Sequence, residues 1–228
     1  MKYFGSDKLS EQHKELSKII VKADRHDAAM ALFLDTHAQL HRGAVSGGAY
    51  NEVDTLFADL QPSDWSIMPT PKDETIAWTV WHIARIEDMT VNMLAAQGEQ
   101  LFNEEWQTRM STSVTDTGNA MRDDEIIRFS ESVKHSELLL YRDAVGKQTR
   151  AVVSNLTTAD MKRPVNPADI ERIRRAGGVT EHPDSRWLLD YWGGKTVAGL
   201  LLMPPTRHLI LHLNDCAKWK QTIQKNRS

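Results

Sequence analysis

Residues 71–98 read PKDETIAWTVWHIARIEDMTVNMLAAQG, and this stretch decides the fold class. Proline cannot sit inside a helix, but a helix can start just after Pro71, and Gly98 is a natural C-cap. Between them runs a strongly apolar helix. Working outward, three more long helices are expected. The first spans 23–60, where Met30, Leu34, His37, His41 and Ala44 step by three or four and share one face. Ser46, Gly47 and Gly48 weaken its middle and mark a break or bend. The third spans 123–156 without proline, about 50 Å if unbroken. Asp123, Asp124 and Glu125 crowd its first turn, where carboxylates favour the helix dipole. The fourth spans 196–223, with Pro204-Pro205 inside it. No segment alternates with a two-residue period, so no central sheet is expected. Four such helices bury their faces most simply as an all-α four-helix bundle, one domain over 1–228. The connections 99–122 and 157–195 are long, and residues 169–176 form a short helix in the second.

Composition narrows the function classes. Hydrophobic residues make up 40% of 228, which excludes disorder and membrane proteins by composition. With 28 basic and 31 acidic residues the net charge is −3, and no basic cluster points to nucleic acid. The single cysteine, Cys216, forms no internal disulfide and fits a reducing compartment. The amino-terminal MKYFGSDKLSEQHKEL has no apolar signal core, and no apolar run approaches a membrane span. A cytoplasmic protein acting on a small-molecule substrate is expected, with no membrane or nucleic-acid partner. Apolar faces on long helices also suit a homodimer.

Among nine histidines, His208 and His212 stand four apart in RHLILHLND, so both rings project from one helix face. That spacing lets two imidazoles reach one metal ion, and a third ligand from a neighbouring helix, such as His82, would complete a three-nitrogen site. Three neutral nitrogens suit zinc, nickel or iron(II) and leave positions open for water or substrate. His37 and His41 are also four apart, on the apolar face of the first helix. They are candidate metal ligands, groups behind the ligands, or general bases; spacing does not choose between the two pairs. Each histidine also has a plain reading as a hydrogen-bonded core residue. Neither HExxH nor a recurring ExxH is present, so zinc-protease and di-iron-bundle mechanisms lack support.

Two stretches, ETIAWTVWHIARIEDMTVN and KTVAGLLLMPPTRHLILHLND, resemble the DinB-like superfamily of helical metalloenzymes. The first matches its helix-two histidine in a Trp-His-Ile-Ala and Glu-Asp context; the second matches its two histidines four apart near the C-terminus. The resemblance implies a four-helix bundle with a histidine triad, carried over as His82, His208 and His212. It also implies a transferase or isomerase using a low-molecular-weight thiol such as bacillithiol, mycothiol or glutathione, with the metal activating the thiol. The Pro204-Pro205 pair, the long 157–195 stretch and the extra His37/His41 pair depart from the pattern. On this reading His37 and His41 are left for acid–base or positioning work, or for packing.

Other residues carry two readings. Pro204-Pro205 either kinks the helix to aim His208 or starts it anew. Asp215 faces the way His208 and His212 face and either orients a ligand histidine, becomes a fourth ligand, or is a solvated or salt-bridged surface group. Cys216 either packs or touches the site, Trp78 is either core or a wall of the pocket, and Trp187, Tyr191 and Trp192 either pack the loop down or line a substrate pocket. Glu87 and Asp88 fall on roughly the opposite half of the helix from His82, where salt bridging is expected. The rival functions are a metal-dependent hydrolase using activated water, a non-catalytic metal-binding stress-response bundle, and a metal-free bundle with core histidines.

Overall fold

The computed structural model describes residues 7–227. Residues 1–6 of the amino-terminal stretch read for a signal core lie outside the described residues. The chain is all-α: no strand forms among the described residues, and one isolated bridge pairs Pro164 with Thr196. The α-helices in order are α1 (Asp7–Ile19), α2 (His26–Leu40), α3 (Gly43–Ser46), α4 (Glu52–Ala58), α5 (Ile76–Glu87), α6 (Glu104–Met110) and α7 (Asp123–Ser132). They continue with α8 (His135–Val153), α9 (Thr158–Met161), α10 (Pro167–Arg175), α11 (Pro183–Gly193), α12 (Val197–Leu201) and α13 (Leu209–Arg227).

The central element is α5, continued by a π-helical stretch over Asp88–Ala95. It starts at Thr75, whose hydroxyl accepts the Trp78 amide. Every residue from Ile76 to Ala95 is buried. A helix apolar all round must be enclosed. Here α8 and α13 pack along it, α7 covers its start, and α10 and α12 cover its π-helical end. Helix α2 packs against α8 and α13.

Several expected elements are divided. The first predicted helix breaks at His41, which is extended (φ −125°, ψ 162°). Asn51 donates from its side chain to the open carbonyls of Ala38 and His41 and caps α4 with its side-chain oxygen. The turn is tight enough that a Cβ on Gly43 would stand 2.1 Å from the Ala49 carbonyl oxygen. The third predicted helix is not one rod: Val133 leaves helical geometry (φ −70°, ψ 136°) between α7 and α8. In the fourth, Pro204 and Pro205 lie in a π-helical turn over Met203–His208, and the Thr206 hydroxyl donates to the Leu201 carbonyl at 2.9 Å. The 157–195 stretch is mostly helical. The short helix expected at 169–176 is α10, while α11 was not expected. Helix α1, also unexpected, buries Leu9, Leu16 and Ile19 and packs on α2. No helix among the described residues is long and apolar enough to cross a membrane.

Asp88, at the change from α to π winding, is fully buried. Its carboxylate accepts from Arg85, Asn92, the Tyr141 hydroxyl and the amides of Leu101 and Phe102. Asp88→Ala leaves Arg85 enclosed without its charge partner and is expected to cost about 3–5 kcal/mol. Urea denaturation measures it; a change below about 1 kcal/mol would show that Asp88 does not hold this junction.

Candidate metal centre

His82 sits in the middle of α5 and is buried. Its Nδ1 lies 2.8 Å from the Thr117 carbonyl oxygen, which can only accept, so Nδ1 carries the proton. Burial pushes its pKa down to about 3, with His212 adding to the effect, so the ring is neutral at pH 7. The Nε2 lone pair is therefore free, and it faces His208 Nε2 at 3.2 Å. Trp78, one turn earlier, stacks on the ring at 4.6 Å between centroids. Its indole N–H donates to the Gly118 carbonyl. Trp78 is thus a wall of the site as well as a core residue.

His208 closes the π-helical turn and His212 follows one turn into α13. Their ring centroids are 4.4 Å apart, and lie 5.1 and 5.0 Å from that of His82. One ligand nitrogen from each of the three rings lies within 4.8 Å of the others. Burial lowers His212 to about 4 and, with the neighbouring rings, holds His208 well below the usual histidine range. The Nδ1 atoms of His208 and His212 are buried without a partner. Nitrogens bound to one ion at ~2.0–2.1 Å in tetrahedral geometry stand roughly 3.3–3.4 Å apart. The 3.2 Å separation, the neutral rings and the fixed His82 tautomer all fit an ion held among them. His82 is enclosed, whereas His208 and His212 keep partial exposure, so the site opens on the α13 side.

A second cluster lies nearby. His37 Nε2 is 2.9 Å from Glu87 Oε1, and His41 Nε2 is 3.1 Å from Glu87 Oε2. All three side chains are fully buried. Burial pushes the Glu87 carboxyl up, but the two imidazoles bonded to it more than offset this and hold it well below the usual range. Burial lowers His41 to about 3. Glu87 is close enough to act electrostatically on His208 and favour its protonated form. The salt bridging expected of Glu87 runs from α5 to α2, and it is fully buried, with both α2 histidines as its partners.

Asp215 makes no hydrogen bond to His208 or His212. It lines a recess of about 410 Å³ with Ser10, His13 and Arg207. Cys216 is fully buried and burial pushes its thiol well up. Trp192 is buried, whereas Trp187 is half exposed and meets Tyr191 edge-on. The remaining four histidines serve the backbone: His13, His26 and His135 bond the carbonyls of Leu202, Leu156 and Ser130, and His182 caps α11.

The part played by residues 115–118 was not expected from the sequence. Their carbonyls accept from Arg85, Trp81, His82 and Trp78. Gly118 (φ 79°) is the one sequence signal of this close approach, since a Cβ there would stand 2.5 Å from Trp78 Nε1. Gly118→Ala is expected to destabilise by about 1–3 kcal/mol and to weaken whatever His82 binds. Calorimetric melting without change in Tm would rule out that constraint.

Acid should act on the metal-free protein in a defined sense. Below about pH 6.5 an unfolded histidine takes up a proton, while folded His82 and His212 stay neutral to about 3 and 4. The unfolded state then binds more protons, so stability falls as pH drops through this window, by up to about 1.4 kcal/mol per pH unit per histidine. The urea midpoint in chelator should drop between pH 7 and pH 5, and His82→Gln should reduce the drop. Equal midpoints at the two pH values would contradict the buried, neutral triad.

No curated protein matches the chain. The region matched by a known family runs from before α4 into α11 and contains His82 and Glu87; the His37/His41 and His208/His212 pairs flank it on either side. A sequence model of the DinB superfamily matches residues 48–189, more than half of the chain, and with its all-α fold and helix-borne histidine cluster the chain belongs to the DinB superfamily.

Proposed function

We propose that this protein holds one divalent ion, zinc or nickel, or iron(II), with His82, His208 and His212, and uses it in group transfer from a low-molecular-weight thiol. The observation that carries the reading is the convergence of three neutral imidazoles from two helices, one with its tautomer fixed by the Thr117 carbonyl. On this reading the stretches α2, α5, α8 and α12–α13 are the four helices of a DinB-type bundle. A bound divalent ion lowers the pKa of a thiol or water and so supplies a nucleophile at neutral pH.

The chain's own residues set the conditions. Trp78 and the 115–118 segment exclude water from one side of His82. The partial exposure of His208 and His212 leaves the other side for a ligand. The only cysteine of the sequence, Cys216, is enclosed with its pKa raised, so it is no thiolate at neutral pH. A reacting thiol must therefore come from outside, which favours the transferase reading over a protein-thiol mechanism. The recess beside Asp215, His13 and Arg207 runs along the same helix and offers a carboxylate and a guanidinium to a zwitterionic substrate. The enclosure of His37 and His41 disfavours contact with substrate, so the acid–base role expected of them is not part of this proposal.

Tag-free protein should carry a divalent ion, and His82→Ala, His208→Ala and His212→Ala should each lose most of it from the triad. After cobalt substitution, added glutathione or another small thiol should produce a sulfur-to-cobalt charge-transfer band. Full metal occupancy in all three variants would overturn the triad. A cobalt spectrum unmoved by every thiol would overturn the thiol reading and favour metal-dependent hydrolysis.

A further inference from the structure

The cluster on α2 has the makings of a site of its own. His37 and His41 lie one helical turn apart and stack at 4.2 Å between centroids, with Phe33 stacked on His37 at 5.6 Å. Both rings are thereby held edge-on to Glu87, and the ligand atoms of the three residues lie within 4.8 Å of one another. Room for the His41 ring is made by α8: a Cβ on Gly146 would stand 2.5 Å from His41 Nδ1 and 2.8 Å from Cε1. The Nδ1 atoms of both rings are buried without a partner.

We infer that His37, His41 and Glu87 form a second, enclosed site for a divalent transition ion, distinct from the triad of His82, His208 and His212. Two imidazoles and one carboxylate suit zinc or iron(II). Without an ion, each ring donates its Nε2 proton to Glu87. On binding, each ring keeps its proton but carries it on Nδ1, so Nε2 and the carboxylate turn to the ion and no net proton is released. That leaves two buried N–H groups unpaired, a cost small beside the coordination of a transition ion. Glu87 already carries the negative charge the ion needs, and Arg142 is the neighbouring cation acting on it. The three side chains are wholly enclosed, while the triad is partly exposed. An ion in the second site therefore exchanges only when the α2–α5 contact opens, and more slowly than one in the triad.

The test is zinc stoichiometry of the full chain, with release to excess chelator followed in time. Wild-type protein should bind two ions and release them in two phases, the slow one at least about tenfold slower. Glu87→Gln should remove the slow phase and leave one ion. A His82→Gln/His208→Gln/His212→Gln variant should keep one ion, released slowly, with an X-ray absorption edge of mixed nitrogen and oxygen ligation. Melting in chelator checks that both variants fold; should Glu87→Gln not fold, the triad variant still decides the matter. One ion in wild type, lost in the triad variant and unchanged in Glu87→Gln, would overturn the second site and leave the triad reading intact. One ion lost in Glu87→Gln and kept in the triad variant would support the second site and overturn the triad. Absence of any bound ion would overturn both.

Discussion

Enclosing α5 on every side places a demand on each polar side chain it carries, because a buried polar group without a partner is costly. Arg85 answers it with the Thr115 carbonyl, Gln100, Asp88 and Tyr141, and lies over the Phe102 ring at 4.4 Å. Asp88 answers it with the amides that begin the next connection. Trp78, Trp81 and His82 use the carbonyls of residues 116–118. The polar 99–122 connection is thus laid antiparallel along α5 and held there by the helix's own donors. The orientation of His82 follows from this arrangement, and without it the ring would have no fixed tautomer.

The helices change winding beside both histidine clusters. π turns occur in α-helices at functional sites and shift the following residues around the axis. One begins at Asp88, directly after Glu87; another ends at His208. In the second, the prolines cannot donate to the preceding turn, and the Thr206 hydroxyl bonds the Leu201 carbonyl instead. The restart of regular winding at Leu209 then carries His212 beside His208. Regular α winding stops at Leu201 and resumes at Leu209, with both prolines in the π-helical turn between.

Membership of the DinB superfamily rests on the middle of the chain, which holds one triad histidine and Glu87. The two histidine pairs outside it converge on α5 from opposite ends of the sequence. His41 and His37 approach Glu87, and His208 and His212 approach His82. Glu87, the partner of the first pair, lies five residues after His82, the partner of the second. A single buried helix thereby organises two sets of donor atoms in one interior.

Local sequence alone determined a good part of this. The apolar run of α5, the acidic first turn of α7 and the four-residue histidine spacings are governed by neighbours within a turn or two. They are legible in the chain for that reason. The failures have a physical cause too. The break at His41 depends on the Asn51 side chain taking the carbonyls of Ala38 and His41, and on Gly43 allowing a close turn. Helical periodicity gave the direction of Glu87, away from His82, but not what lies in that direction, and tertiary packing set α2 there. What each histidine pair meets was set by contacts across gaps of 126 and 50 residues, His208 with His82 and His37 with Glu87. No local preference encodes such a contact; it exists only once burial of α5 has drawn the distant helices together.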